Sequence, residues 1–138
     1  MRARQVLVVA TALFALAGCG TSSAEASNQG PAQPGAQQVV DAIAAKWPVP
    51  NPKDETSACK AKDGANALGC VKLIVTDTVS VYEFSDETGA KNFANQMKVT
   101  GGDWRPAGRF VLSWTAANTQ KTDKPERDDM VNIASVTN

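Results

Sequence analysis

The stretch Cys70–Phe84, CVKLIVTDTVSVYEF, decides how this chain folds. Its β-branched and aromatic residues alternate with polar ones in two runs, 71–76 and 79–84, and a period of two is typical of half-buried strands. Asp77 and Thr78 lie between the runs and suit a tight turn. The stretch therefore predicts a β-hairpin at the centre of the domain.

Apolar periodicity on either side of the hairpin predicts the other elements, because helices and strands repeat their buried positions at different intervals. The terminal helix is marked by Pro125, which suits a first helical turn, and the central helix by Ser85 or Asp86 as its cap. The predicted elements are a helix over 37–47, a helix over 87–98, a strand over 109–115 and a helix from about 124 to the end.

The predicted order of elements is α-β-β-α-β-α. The helical connection before the last strand is long enough for a right-handed crossover, which places that strand beside the first one. The sequence thus predicts a small α+β domain, in which a three-stranded mixed sheet of order 2-1-3 carries helices packed on one face.

Cys59 and Cys70 flank part of the polar stretch 51–69 and predict one disulfide. Such a bond closes a short loop, which the chain-entropy treatment values at roughly 3 kcal/mol. The alternative is a metal site formed by the two thiols. We favour the disulfide, because the chain has no histidine to complete a metal site.

The N-terminal stretch Ala12–Gly20, ALFALAGCG, ends a short apolar run that follows Arg2 and Arg4. The apolar run 6–16 spans about 16 Å as a helix, roughly half the hydrocarbon thickness of a bilayer. A positive start, a short apolar middle and a small-residue end are typical of a secretory signal peptide.

The residues Leu16-Ala17-Gly18-Cys19 resemble the lipobox of bacterial lipoproteins. The resemblance implies cleavage of a signal peptide, residues 1–18, and acylation of Cys19. The lipid bilayer is then the first partner, and the protein lies at the extracytoplasmic face of the cell membrane. The alternative is an ordinary signal peptide cut elsewhere. The rest of the chain resembles small secreted bacterial lipoproteins only in general shape.

The chain after the signal peptide divides into a tether and a domain. Residues 19–37 comprise Cys19 and a stretch without large apolar side chains, which reads as a flexible tether with a reach of about 25 Å. Residues 38–138 are long enough for a single compact domain with one small core.

The charge balance does not indicate a polyanionic partner such as a nucleic acid. The chain has 14 basic and 14 acidic side chains, so removal of Arg2 and Arg4 with the signal peptide leaves a net charge of −2. A nucleic-acid-binding protein carries a basic surface instead. We therefore expect no nucleic acid among the partners.

The absence of histidine from the sequence removes the commonest general base. No metal-binding cluster and no phosphate-binding glycine loop stands out either, so we predict no cofactor, no metal and no catalytic residue. Asp77, Glu83 and Asp86 are expected to be mostly exposed and not to converge on a cavity. The alternative is a cell-envelope enzyme that uses a carboxylate pair or Ser–Lys chemistry.

One stretch, GGDWRPAGR at 101–109, is a candidate for recognition. Trp104, Arg105 and Arg109 form a candidate binding patch, because Trp and Arg are enriched in binding hot spots. The alternative is a tryptophan that covers the edge of the core beside arginine stems lying on apolar surface. The sequence favours a non-catalytic binding module over an enzyme, with another envelope protein as a candidate partner.

Overall fold

The computed structural model describes residues 33–60 and 68–137. The predicted signal peptide, Cys19 and most of the tether lie outside the described residues. The helices are α1 (Ala36–Ala44), α2 (Glu87–Met97), α3 (Ala116–Thr119) and α4 (Lys124–Thr137), with 3₁₀ turns at Thr56–Cys59 and Lys98–Thr100. The strands are β1 (Lys53–Asp54), β2 (Lys72–Val75), β3 (Ser80–Glu83), β4 (Asp103–Ala107) and β5 (Phe110–Trp114).

The predicted hairpin is confirmed as β2 and β3, which pair antiparallel from Lys72↔Glu83 to Val75↔Ser80. The side chain of Thr76 closes the turn between them, since its oxygen accepts hydrogen bonds from the N–H groups of Thr78 and Val79. Thr76 is buried there, so its hydroxyl takes over the hydrogen bonding that water would otherwise supply.

The α+β class is confirmed, but the prediction of a three-stranded mixed sheet is wrong. The sheet has five strands in the order β1-β2-β3-β5-β4, and every pair is antiparallel. After α2 the chain forms β4 first and then turns back into β5. β5 therefore pairs with β3 and not with β2. The predicted strand order 2-1-3 fails for this reason.

Helices cover both faces of the sheet, so the prediction of helices on one face is also wrong. α1 and α4 pack on one face against Phe110, Leu112 and Trp114 of β5. α2 packs on the other face, where β5 presents Val111. Successive side chains of a strand point to opposite faces of the sheet. Every residue of β5 is buried, so this strand contributes to a separate core on each face.

The predicted disulfide is confirmed. Cys59 ends a 3₁₀ turn and Cys70 precedes β2, with their Cα atoms 4.9 Å apart. Both cysteines belong to the core under α2, together with Leu73, Phe84 and Phe93. The bond therefore fastens the segment before β2 onto the α2 face of the sheet.

Within the described residues, no helix is both long enough and apolar enough to cross a membrane. The helices are buried on one side, as in α2, whose Ala90, Phe93 and Ala94 are buried. Asp86 caps α2 as predicted, because its carboxylate accepts the N–H of Gly89 at 2.7 Å.

Candidate functional site

The structure separates the three residues of the candidate binding patch. Trp104 and Arg105 are neighbours in β4, so their side chains lie on opposite faces of the sheet. Trp104 belongs to the α2 face. Arg105 lies on the face of α4, where it hydrogen-bonds Asp128. Arg109 lies in the turn between β4 and β5, so the three side chains do not form one continuous surface.

Arg105 is occupied by an ion-pair network that joins β4 to α4. Its guanidinium donates to both carboxylate oxygens of Asp103, at 2.7 and 2.5 Å, and lies 5.6 Å from the centre of the Trp114 ring. Arg127 donates to the same Asp103 at 2.9 Å. Burial opposes the charge on Asp103, but the two arginines outweigh it and lower the pKa of this carboxyl.

Arg109 and Glu83 form a buried ion pair that holds the start of α1. Arg109 donates to Glu83 at 2.8 Å and to the backbone oxygen of Pro34 at 2.5 Å. The second oxygen of Glu83 accepts the N–H of Ala36 at 2.7 Å. The two side chains are only 13% and 10% exposed, so the expectation that Glu83 is exposed is wrong.

Trp104 is held in a fixed orientation on the α2 face. Its indole N–H donates to the backbone oxygen of Gly101 at 2.7 Å. Its ring centre lies 5.8 Å from those of Tyr82 and Phe93, and the contact with Phe93 is edge-to-face. Burial raises the pKa of Tyr82 within the same cluster. A half-buried tryptophan held by one hydrogen bond and two aromatic contacts keeps a fixed orientation.

Gly102 makes room beside this tryptophan. Gly101 and Gly102 have φ angles of 79° and 85°, which side chains rarely adopt. A Cβ atom on Gly102 would lie 2.8 Å from the backbone oxygen of Trp114 and 3.3 Å from the indole nitrogen of Trp104. The connection between α2 and β4 therefore requires glycine at position 102, next to the indole nitrogen.

Trp104 and the two glycines border an open depression of about 270 Å³. Among the residues that the structure describes, no charged side chain lines it. The lining consists of Thr100, Gly101, Gly102, Trp104, Thr115 and Ala116. Sequence reasoning singled out the stretch that contains three of these residues but missed the other three. Thr100 directly precedes that stretch, whereas Thr115 and Ala116 reach the depression only because β5 ends beside the start of β4.

The acidic residues considered for catalysis are engaged elsewhere. Asp77 accepts a hydrogen bond from Asn51 at 2.6 Å, Asp86 caps α2, and Glu83 pairs with Arg109. None of these three acids lines the depression. Among residues 33–60 and 68–137, no three histidine, cysteine, aspartate or glutamate side chains are grouped so that they could hold a metal ion.

The fold and this geometry define a small disulfide-bonded α+β domain with an uncharged depression beside a fixed tryptophan. Comparison of the chain with protein-family models, with curated proteins and with solved structures finds no match. The residues of this chain alone therefore indicate its function.

Proposed function

We propose that this protein is a lipid-anchored extracytoplasmic binding protein, whose domain binds its ligand in the depression beside Trp104 without catalysis. The observation that carries the proposal is the depression itself, which Gly101 and Gly102 line next to an oriented indole ring. Ligand sites are concave and largely preformed, with few polar groups that fix the ligand's orientation.

Two features support the extracytoplasmic location. The Cys59–Cys70 disulfide is of the kind that persists in oxidising compartments. The stretch Leu16–Cys19 resembles a lipobox, and acylation of Cys19 with more than one chain is what stable anchoring requires. Another envelope protein or an incoming molecule is then within reach of the tethered domain.

Replacement of Cys19 by alanine is expected to move the protein from the membrane fraction to the soluble fraction, because the acyl chains are lost. The measurement is immunoblotting of fractionated cells, together with metabolic labelling by an alkyne fatty acid. Ser22→Ala is the matched control in the same segment, and it should keep both the label and the membrane fraction. Membrane association of the Cys19→Ala protein equal to that of the parent contradicts the anchoring.

Ligand binding is tested in the same cells by replacing Val99 with a photoreactive amino acid. Val99 is 89% exposed and precedes Thr100, which lines the depression. Val136 is the control position, because it is 75% exposed and lies on α4, which packs on the other face of the sheet. Irradiation should give an adduct of defined mass from position 99 and none from position 136. Identical products from the two positions contradict a site at the depression.

A further inference from the structure

We propose that the ligand of the depression is an uncharged saccharide. This inference rests on the proposed function and names the chemical class of the ligand. It follows from three properties of the lining: the absence of charge, the carbon surface of Trp104, and the hydrogen-bonding capacity that two threonine hydroxyls keep free.

The first property is the absence of charge. Asp103 follows Gly102 in the chain, yet its carboxylate is engaged by Arg105 and Arg127. Arg109 is engaged by Glu83 at the opposite end of the β4–β5 hairpin. A charged ligand would lose its hydration in the depression without meeting an opposite charge, which is unfavourable. The lining therefore suits a neutral ligand.

The second property is the carbon surface of Trp104. The indole nitrogen is the only polar atom of this side chain, and its N–H is committed to Gly101. What the ring offers to a ligand is thus apolar carbon surface. The C–H groups on one face of a pyranose ring are apolar as well and can lie against such a surface.

The third property is the hydrogen-bonding capacity of two threonines in the lining. The Thr100 hydroxyl donates to the backbone oxygen of Met97 at 2.7 Å, so its oxygen still accepts. The Thr115 oxygen accepts the N–H of Asn118 at 3.2 Å, so its O–H still donates. The lining thus combines one acceptor and one donor with an apolar wall. Sugar hydroxyls both donate and accept, and they surround an apolar ring face.

An aliphatic or aromatic side chain of a partner protein fits this lining less well. Such a group would cover Trp104 but would offer no acceptor to the Thr115 O–H in a desolvated contact, and an unpaired donor weakens binding. An anionic saccharide meets no cation in the lining. The neutral saccharide is the class that uses all three properties.

The test uses the full-length protein, purified in a zwitterionic detergent that has no sugar headgroup. Cellotetraose, chitotetraose and maltotetraose are the neutral probes, and tetragalacturonate is the anionic one. Ala116→Tyr fills the depression, while Ala117→Tyr places the same bulk on the neighbouring exposed residue outside the lining. Calorimetric titration measures affinity, and thermal unfolding checks that both variants fold like the parent protein.

We expect saturable binding of at least one neutral tetrasaccharide at about millimolar concentration or tighter. Ala116→Tyr should weaken this binding about tenfold or more, Ala117→Tyr should leave it unchanged, and tetragalacturonate should bind at least tenfold more weakly. The inference is overturned if no neutral probe binds, if tetragalacturonate binds as tightly, or if the two tyrosine variants bind alike. Capture of a ligand at position 99 in cells, without saccharide binding, also overturns it and leaves the binding function standing.

Discussion

Replacement of Glu83 by alanine is expected to lower the free energy of unfolding by about 3–5 kcal/mol. The change leaves the Arg109 guanidinium buried without its counter-charge, and the Ala36 N–H loses its acceptor. Removing one partner of a buried, hydrogen-bonded pair costs more than the pair itself contributes, because the remaining charge stays desolvated. The measurement is urea denaturation followed by tryptophan fluorescence.

The matched control is the exposed pair Glu87–Lys91 in α2, in which each side chain is 58% exposed. Glu87→Ala should cost no more than roughly 0.5 kcal/mol, as is usual for exposed helical pairs. The double variant Glu83→Ala/Arg109→Ala should lose clearly less than the sum of the two single changes, because it leaves no buried charge. If Glu83→Ala lowers the free energy of unfolding by less than about 1 kcal/mol, the buried ion pair does not stabilise the fold as we expect.

Replacement of Trp114 by alanine is expected to cost about 3–5 kcal/mol, the usual range for a fully buried tryptophan. Trp114 has no exposed surface and lies at the centre of the core under α1 and α4. Its loss also removes the ring beneath the Arg105 guanidinium. Thermal or urea unfolding measures the change in the free energy of unfolding.

Trp114→Phe separates packing from hydrogen bonding. The indole N–H of Trp114 has no hydrogen-bond partner among residues 33–60 and 68–137, so phenylalanine removes a buried donor along with some volume. We expect Trp114→Phe to cost less than half as much as Trp114→Ala. Equal costs for the two variants would place the contribution of Trp114 in its N–H group and contradict its role as a packed ring.

Local patterns in the sequence predict the hairpin and the helices α1, α2 and α4, because each has a clear period and clear end signals. Asp86 caps α2, and Asp123 and Glu126 cap α4 with reciprocal hydrogen bonds of 2.8 Å. The buried faces of both helices also follow from spacing, as Met130 and Ala134 show in α4. These features depend on residues that are close in the chain.

β4 escapes prediction because it is an edge strand with a proline. Pro106 pairs with Val111, next to the pair Ala107↔Phe110 that closes the two-residue turn. Because hydrogen-bonded and non-hydrogen-bonded pairs alternate, Pro106 occupies a position whose missing N–H would point away from β5. A proline is tolerated there and also blunts the edge of the sheet. In the sequence alone, the same proline argues against a strand.

The candidate site is only partly predictable for a related reason. Trp104 and Arg105 were predicted to share one patch because both residue types are enriched in binding hot spots, whereas adjacent residues of a strand point to opposite faces. Recognising β4 as a strand would have separated them. The burial of Glu83 depends on Arg109, which lies 26 residues further along, and only the strand pairing Glu83↔Phe110 brings the two together.

The measurement that tests the central claim most directly is photo-crosslinking from position 99 in intact cells. It compares the parent protein with the Ala116→Tyr and Ala117→Tyr variants at equal protein levels. If the depression beside Trp104 binds the ligand, the parent and Ala117→Tyr give the same adduct and Ala116→Tyr gives none. The same adduct from all three proteins, or no adduct from the parent, contradicts the claim.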